Sequence, residues 1–223
     1  MTVGEYEAPE PSGAVGRFLD TNEIFSIGHS THKSGDFISL LERARVHLLV
    51  DIGRHPGSRQ VPWTSSDRLE QLLADNSIDY LHLPELGGRR RPVTASANNG
   101  WHNAQFQGYA DHLATPEFAA GLNQQEPRAR YQPVAVMCAE AQWWRCHRRL
   151  LSDALVVRGW RVLHLNSRGT HDEHTLTDFA VVEGTELSYP AADQGKNSRR
   201  TDAYQGMKHS RHSLGRNALG AEV

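Results

Sequence analysis

The stretch 133–165, PVAVMCAEAQWWRCHRRLLSDALVVRGWRVLHL, contains the clearest structural pattern in this chain. It opens with an apolar run over 133–138 and closes with another over 161–165, and each has the length of a buried strand. Between them lies a helical pattern that stops before Gly159; its apolar residues are Leu150, Leu151, Ala154, Leu155 and Val157. A strand, a helix and a strand in this order predict a βαβ unit with two parallel strands.

Three further apolar runs have the length of strands, and helical patterns separate them. The runs cover 24–28, 47–52 and 78–83. Helix starts are predicted at Ser34 as a cap, at Thr64 with Asp67 as a capping box, and at Thr115 before Pro116. This alternation predicts a single α/β domain, in which helices cover both faces of a mostly parallel sheet of about five strands.

Length and composition limit the classes of protein to which the chain can belong. Its 223 residues, 38% of them hydrophobic, suit one domain with a core of its own. A formal net charge of −2 argues against a broadly basic nucleic-acid-binding protein. No apolar run approaches the roughly 20 residues of a membrane span, and the first residues do not resemble a secretion signal. Two cysteines are too few for a disulfide framework, so we expect a cytoplasmic protein without a membrane partner.

The two ends of the chain differ in composition from its middle. Residues 1–22 are rich in proline, glycine and acidic side chains, and we expect them to form a disordered N-terminal arm. Residues 191–223 are polar and basic, which predicts a flexible C-terminal tail that is either solvated or binds an anion. The folded α/β domain is therefore expected over 23–190.

Polar, charged and glycine residues follow four of the predicted strands at the point where each strand ends. They are His29 after the first strand, Asp51, Arg54 and Ser58 after the second, Gly87, Gly88 and Arg89 after the third, and Cys138, Glu140, Trp144, His147 and Arg148 after the fourth. Ligands of open α/β sheets bind at the carboxyl ends of the strands. The sequence therefore predicts a site at this edge.

Cys138 ends a strand and precedes a helix. A thiol near a helix N-terminus, with His147 and Arg148 close by, should have a lowered pKa, and its thiolate would serve as a nucleophile or redox centre. The alternative is a buried cysteine that only fills space in the core. We expect Cys146 to be structural, although the eight-residue separation permits a Cys138–Cys146 disulfide if the loop between them folds back.

The remaining candidates divide into acid–base and ligand-binding groups. Asp51 and Glu140 would be general acids or bases, or else partners of arginines, and His29 and His147 would tune or move protons. The groups expected to hold an anion are Arg54, Arg89 and Arg148, with Ser58, Gly87 and Gly88 in the same loops. Four tryptophans fall in predicted loops, where they either pack in the core or stack on a base: Trp63, Trp101, Trp143 and Trp144.

A metal site is a further alternative for the same residues. Cys138, Cys146 and His147, joined by His29 or Asp51, would supply three or four ligands. The spacings of a zinc signature are not present, and we identify no resident cofactor from the sequence.

Several segments carry a family resemblance, among them IGHST (27–31), LLVDIGRHPGSR (48–59) and CAEAQWWRCHRR (138–149). Together they resemble the domain of unknown function family number 488, over about 24–190. The resemblance implies the α/β fold, places the site around the CAE and CHR segments, and suggests a link to DNA repair. The family has Asp-Val-Arg where this chain has Asp51-Ile52-Gly53-Arg54, so the basic residue is displaced by one position.

The leading hypothesis from the sequence is an enzyme. It would act on an anionic ligand, nucleotide-like or derived from nucleic acid, with Cys138 as nucleophile or redox centre. The first alternative is a non-catalytic nucleotide-binding or nucleic-acid-binding module linked to DNA repair, and the second is a metal-binding protein that uses Cys138, Cys146 and His147.

Overall fold

The computed structural model describes residues 22–58 and 60–191, and its main feature is a six-stranded sheet. The strands are β1 (Glu23–Gly28), β2 (Leu48–Asp51), β3 (Asp79–His82), β4 (Val134–Cys138), β5 (Arg161–Leu165) and β6 (His171–Glu173). Their order is β3-β2-β4-β1-β5-β6. The first five strands are parallel and β6 is antiparallel to β5. The predicted α/β class is confirmed, with one short strand more than expected.

Helices cover both faces of the sheet, as the alternating pattern predicted. They are α1 (Ser34–Arg43), α2 (Ser66–Ala74), α3 (Ala104–His112), α4 (Pro116–Ala129) and α5 (Arg148–Val157). We call the side packed by α1 and α2 the α1 face, and the side packed by α3, α4 and α5 the α5 face. A separate hairpin follows, formed by β7 (Val181–Glu183) and β8 (Glu186–Ser188).

Alternation along each strand assigns its side chains to one face or the other. Ile24 and Val136 belong to the apolar cluster of the α5 face, whereas Ile27 and Met137 belong to that of the α1 face. The strands therefore bury apolar side chains on both sides, which is why they appear in the sequence as continuous apolar runs.

The helix starts agree with the sequence at one place and differ at two. Thr115 caps α4, because its side chain accepts a hydrogen bond from the Phe118 backbone. Ser34 is the first residue of α1 and not its cap. Thr64 does not cap α2; its hydroxyl donates to the Val61 carbonyl, and the chain makes a short 3-10 turn before the helix begins.

The helix α3 lies in a segment whose aromatic residues the sequence left open between core and ligand. Asn103 caps α3 by accepting hydrogen bonds from the Gln105 and Phe106 backbones. Trp101 is buried and stacks on Phe106, with ring centroids 4.9 Å apart. These aromatic residues belong to the core, so they are not available to stack on a ligand.

The ends of the chain were expected to be a disordered arm and a flexible tail. Apart from Asn22 and Ala191, the predicted arm (1–22) and tail (191–223) lie outside the described residues. Within the part that the structure describes, no helix combines the length and the apolar composition needed to cross a membrane.

Gly28, the last residue of β1, lies where the loop after β4 crosses the strand end. A Cβ atom at Gly28 would overlap the Glu140 carbonyl, so Gly28→Ala should lower the free energy of unfolding by about 2–3 kcal/mol. Gly35→Ala is the matched control, because a Cβ atom there meets nothing within 4 Å and alanine favours the helix. Urea denaturation of both variants checks the prediction, which is wrong if the two substitutions have equal effects.

Candidate functional site

The predicted site residues lie at one edge of the sheet but on two different faces. Cys138 packs in the cluster of the α5 face. Asp51 is in register with Met137, which belongs to the α1 face. His29 packs edge-on against Trp63, on the same α1 face, with ring centroids 6.1 Å apart. The sequence could not predict this separation, because the side that a strand-end side chain takes depends on register.

On the α5 face the two cysteines lie next to each other. Both are free thiols, and their Sγ atoms are 3.4 Å apart. Cys138 is 4% exposed, whereas Cys146 is half-buried. The Glu140 backbone N–H donates to Cys138 Sγ at 3.3 Å, and the Arg148 backbone N–H donates to Cys146 Sγ at 3.4 Å. The loop does fold back, which was the condition for pairing these cysteines.

Arg148 is buried beside this thiol pair and was predicted to hold an anionic ligand. Its side chain is 1% exposed. Nε donates to Cys146 Sγ at 3.4 Å and Nη1 donates to Ser26 Oγ at 3.2 Å. Nη2 donates to the backbone carbonyls of Glu140 and Ala141. The guanidinium thus contacts the protein interior instead of the open edge, because α5 begins at this residue and turns it toward the sheet.

The lowered pKa of the thiol pair belongs to Cys146, whereas the sequence predicts it at Cys138. The hydrogen bond with Cys146, together with burial, raises the pKa of Cys138. Burial also opposes ionisation of Cys146, but the Cys138 hydrogen bond and the Arg148 guanidinium outweigh it and lower the pKa of Cys146 to about 6. The first proton of the pair is therefore lost below the ordinary thiol pKa, and the two Arg148 donors favour the negative charge on Cys146 Sγ.

His147 lies on the α5 face near the thiol pair. Its ring packs against Tyr109, with centroids 5.2 Å apart, and fits where Gly88 has no side chain. A Cβ atom at Gly88 would lie 2.7 Å from His147 Nδ1. Burial, and then the Arg148 charge, lower the pKa of His147 to about 4, so the ring is neutral at pH 7. Its Nε2 atom is buried without a hydrogen-bond partner among the described residues.

Asp51 and His29 form a second polar group on the α1 face. Asp51 Oδ1 accepts from the Gly53 backbone at 2.7 Å, and Oδ2 accepts from the Tyr80 hydroxyl at 3.1 Å. Burial raises the pKa of the Asp51 carboxyl and lowers the pKa of His29. Tyr80 was not among the predicted residues, since a tyrosine within a strand pattern gives no sign of its partner.

The remaining predicted ligand-binding residues lie at the surface or pack in loops. Arg54 and Arg89 are exposed, and Arg54 Nη1 donates to the Arg89 carbonyl at 3.4 Å. Gly87 is buried, and a Cβ atom there would lie 3.3 Å from the Arg54 backbone. Ser58 Oγ accepts from the Gln60 backbone at 3.2 Å.

The outer surface of the loop after β4 is partly aromatic. Trp144 is 48% exposed, and the neighbouring Glu140 and Arg145 are exposed as well. Glu140 Oε1 accepts from the Gln142 backbone at 3.3 Å, so this carboxylate bonds to its own loop and not to Arg148. Trp144 is thus the one loop tryptophan of the four that stays on the surface.

A group of buried polar side chains on the α5 face was not predicted. It contains Ser26, Asp153, His164 and His174. Three of these interrupt apolar patterns: Ser26 in IFSIG, Asp153 in LLSDALVV and His164 in RVLHL. The sequence could have revealed this group through its polar residues on the apolar side of a strand or helix, because a buried polar group needs a partner.

The metal hypothesis required Cys138, Cys146 and His147 to form one group with a residue from a neighbouring strand. Over 22–58 and 60–191, no three histidine, cysteine or acidic side chains lie close enough together to hold a metal ion. The described residues therefore give the metal hypothesis no support.

Comparison with known proteins gives a family and no closer relative. No curated protein and no solved structure matches this chain. Residues 33–155 match the family described as Domain of unknown function DUF488. This segment covers more than half of the chain and includes both cysteines and Arg148. The chain therefore belongs to the DUF488 family.

Proposed function

We propose that the chain is a thiol enzyme in which Cys146 is the nucleophile and Cys138 its redox partner. The single observation that carries this proposal is the 3.4 Å separation of the two free Sγ atoms beside the buried Arg148. The proposal moves the nucleophile from Cys138, where the sequence placed it, to Cys146. A reducing, cytoplasmic location is part of the same proposal, since both thiols are then kept free.

The charge of Arg148 supports a thiolate at Cys146. A buried guanidinium needs a counter-charge, and no aspartate or glutamate of the described residues forms an ion pair with Arg148. Cys146 Sγ accepts from both the backbone N–H and Nε of Arg148. Cys138 Sγ lies 3.4 Å from the same sulfur, and its thiol would be a third donor to the thiolate.

The chemistry we propose is a dithiol–disulfide exchange. The Cys146 thiolate attacks a substrate disulfide, forms a mixed disulfide, and releases one substrate thiolate, which takes the Cys138 proton. Cys138 then attacks Cys146 Sγ, forms the Cys138–Cys146 disulfide, and releases the second substrate thiolate. The substrate disulfide gains two electrons and the protein loses two, which a low-molecular-weight thiol returns in the next cycle.

The proposed substrate is anionic. Arg54 and Arg89 are exposed at the same edge of the sheet, and the protein does not use their guanidinium groups for an ion pair among the described residues. Trp144 offers an exposed ring on which a base or another flat group can stack. These three side chains favour an anionic, nucleotide-like group as the recognised part of the substrate.

A disulfide-exchange assay tests the proposal. Treating the reduced protein with oxidised glutathione should form an intramolecular disulfide, seen as the loss of two hydrogens in the intact mass and of both titratable thiols. Cys138→Ala should instead stop at a mixed disulfide on Cys146. Two glutathione adducts on the unaltered protein, or none, would contradict the proposed redox pair.

The second candidate is a binding module without catalysis, favoured by the exposed Trp144 beside Arg145. A module of this kind needs the exposed arginines and the tryptophan but not the thiolate. It becomes the better description if a variant lacking both cysteines binds a nucleotide or a nucleic-acid fragment as tightly as the unaltered chain does.

A further inference from the structure

A chain of hydrogen bonds runs through the α5 face behind the thiol pair. His174 Nε2 bonds to Asp153 Oδ1 at 2.9 Å, and His164 Nε2 bonds to His174 Nδ1 at 2.9 Å. Asp153 also accepts from the Thr177 backbone at 3.0 Å and from the Tyr189 hydroxyl at 2.9 Å. All the side chains joined by these hydrogen bonds are buried, so their polar atoms must find partners inside the protein.

The carboxylate fixes which nitrogen of each ring carries the proton. Because Asp153 accepts, His174 donates from Nε2 and its Nδ1 must accept. His164 therefore donates from Nε2, which leaves its Nδ1 as a lone pair. Nδ1 of His164 is buried, since the residue is only 2% exposed, and it has no hydrogen-bond partner among the described residues. A buried acceptor without a donor is unfavourable, because it has lost its hydrogen bond to water.

The matching donor is Ser26, on the neighbouring strand. Ser26 on β1 is paired with His164 on β5, two residues beyond the pair Ile24 and Val162. All four side chains lie on the α5 face. Ser26 Oγ accepts from Arg148 Nη1 at 3.2 Å, so its own hydrogen is free to be donated. Ser26 thus has a hydrogen to donate, and the residue paired with it on β5 has a ring nitrogen that lacks a donor.

We propose that Asp153, His174, His164 and Ser26 form one relay that positions the Arg148 guanidinium against Cys146 Sγ. These four are positioning residues of the thiol site, since they act through Arg148 and none of them contacts a cysteine sulfur in the described structure. The inference rests on the proposed function and extends it.

The test compares two buried serines that are close in exposure. Ser26→Ala removes a hydroxyl bonded to Arg148, whereas Ser152→Ala removes a hydroxyl on α5 that is 1% exposed and has no partner among the described residues. Ser26→Ala should reduce the rate of Cys146 alkylation by iodoacetamide at pH 6 by about fivefold. Ser152→Ala should leave this rate unchanged.

The outcomes separate the relay from the thiol site itself. If the unaltered chain lacks a fast-reacting thiol at pH 6, both the proposed function and the relay fail. If it has that thiol and Ser26→Ala keeps the full rate, the relay alone is wrong. Should Ser26→Ala not fold, ring-nitrogen NMR of the unaltered protein decides: the relay requires a neutral His164 with its proton on Nε2, and a proton on Nδ1 overturns it.

Discussion

Cys146→Ser should abolish the fast-reacting thiol of this protein, lowering the alkylation rate at pH 7 at least about tenfold. The reason is that the pKa of Cys146 is lowered to about 6, while burial and the hydrogen bond with Cys146 raise that of Cys138. At pH 7 the reactive thiolate is therefore on Cys146. In the unaltered protein the rate should rise through about pH 6 and level off near pH 7 to 8, measured with iodoacetamide at a series of pH values.

Cys138→Ser is the matched control for this experiment. A serine hydroxyl can still donate to Cys146 Sγ, so this variant should keep a fast-reacting thiol and most of the low-pH reactivity. The assignment of the nucleophile is wrong if Cys138→Ser loses the fast phase and Cys146→Ser retains it. In that case the nucleophile would be Cys138, as the sequence alone suggested.

Arg148→Met should lower the free energy of unfolding by about 2–4 kcal/mol and should also slow alkylation of Cys146. The substitution removes the donors to Ser26 Oγ and to the carbonyls of Glu140 and Ala141, and it removes the positive charge that stabilises the thiolate. Arg145→Met is the control. Arg145 is exposed and its side chain makes a single hydrogen bond, 3.4 Å long, to Gln142, so its replacement should change stability by less than about 0.5 kcal/mol.

The effect of Arg148→Met should also depend on pH in a defined direction. Cys146 has a folded pKa of about 6, below its ordinary value, so between these two values the unfolded chain binds more protons than the folded one. Stability from this thiolate is therefore complete above the ordinary thiol pKa and is lost as the pH falls through 6. In urea denaturation, Arg148→Met should therefore lower the free energy of unfolding less at pH 5.5 than at pH 8.5. An equal loss at both pH values would contradict the assignment.

The fold could be predicted largely from the apolar runs. Strands β1, β2, β4 and β5 are largely buried, so each is a continuous apolar stretch that is easy to recognise. β3 lies at the edge of the sheet and is only partly buried. The short edge strand β6 was missed because its three residues, 171–173, are all exposed and polar. The helix α3 was missed because glutamines and a glycine interrupt its apolar pattern.

The sequence predicts which side chains lie at the same edge of the sheet, but not how they are arranged there. The carboxyl-end rule placed Cys138, Cys146 and Arg148 at the right edge. It could not show that Arg148 turns inward, because that depends on where α5 begins relative to the loop. Which of the two thiols has the lower pKa could not be predicted from the sequence either. It depends on the 3.4 Å contact between the sulfurs and on which sulfur the arginine donors reach.

The central place of β1 in the sheet has a consequence for how the chain acquires its structure during synthesis. β1 is made first, yet its two neighbours, β4 and β5, lie more than 100 residues later in the chain. Pairings between distant segments slow folding, because a long loop must close before they form. The newly made polypeptide must therefore wait for β5 before its middle strand is paired. Both cysteines precede β5 in the chain, so they are synthesised before the sheet that buries Cys138 is complete.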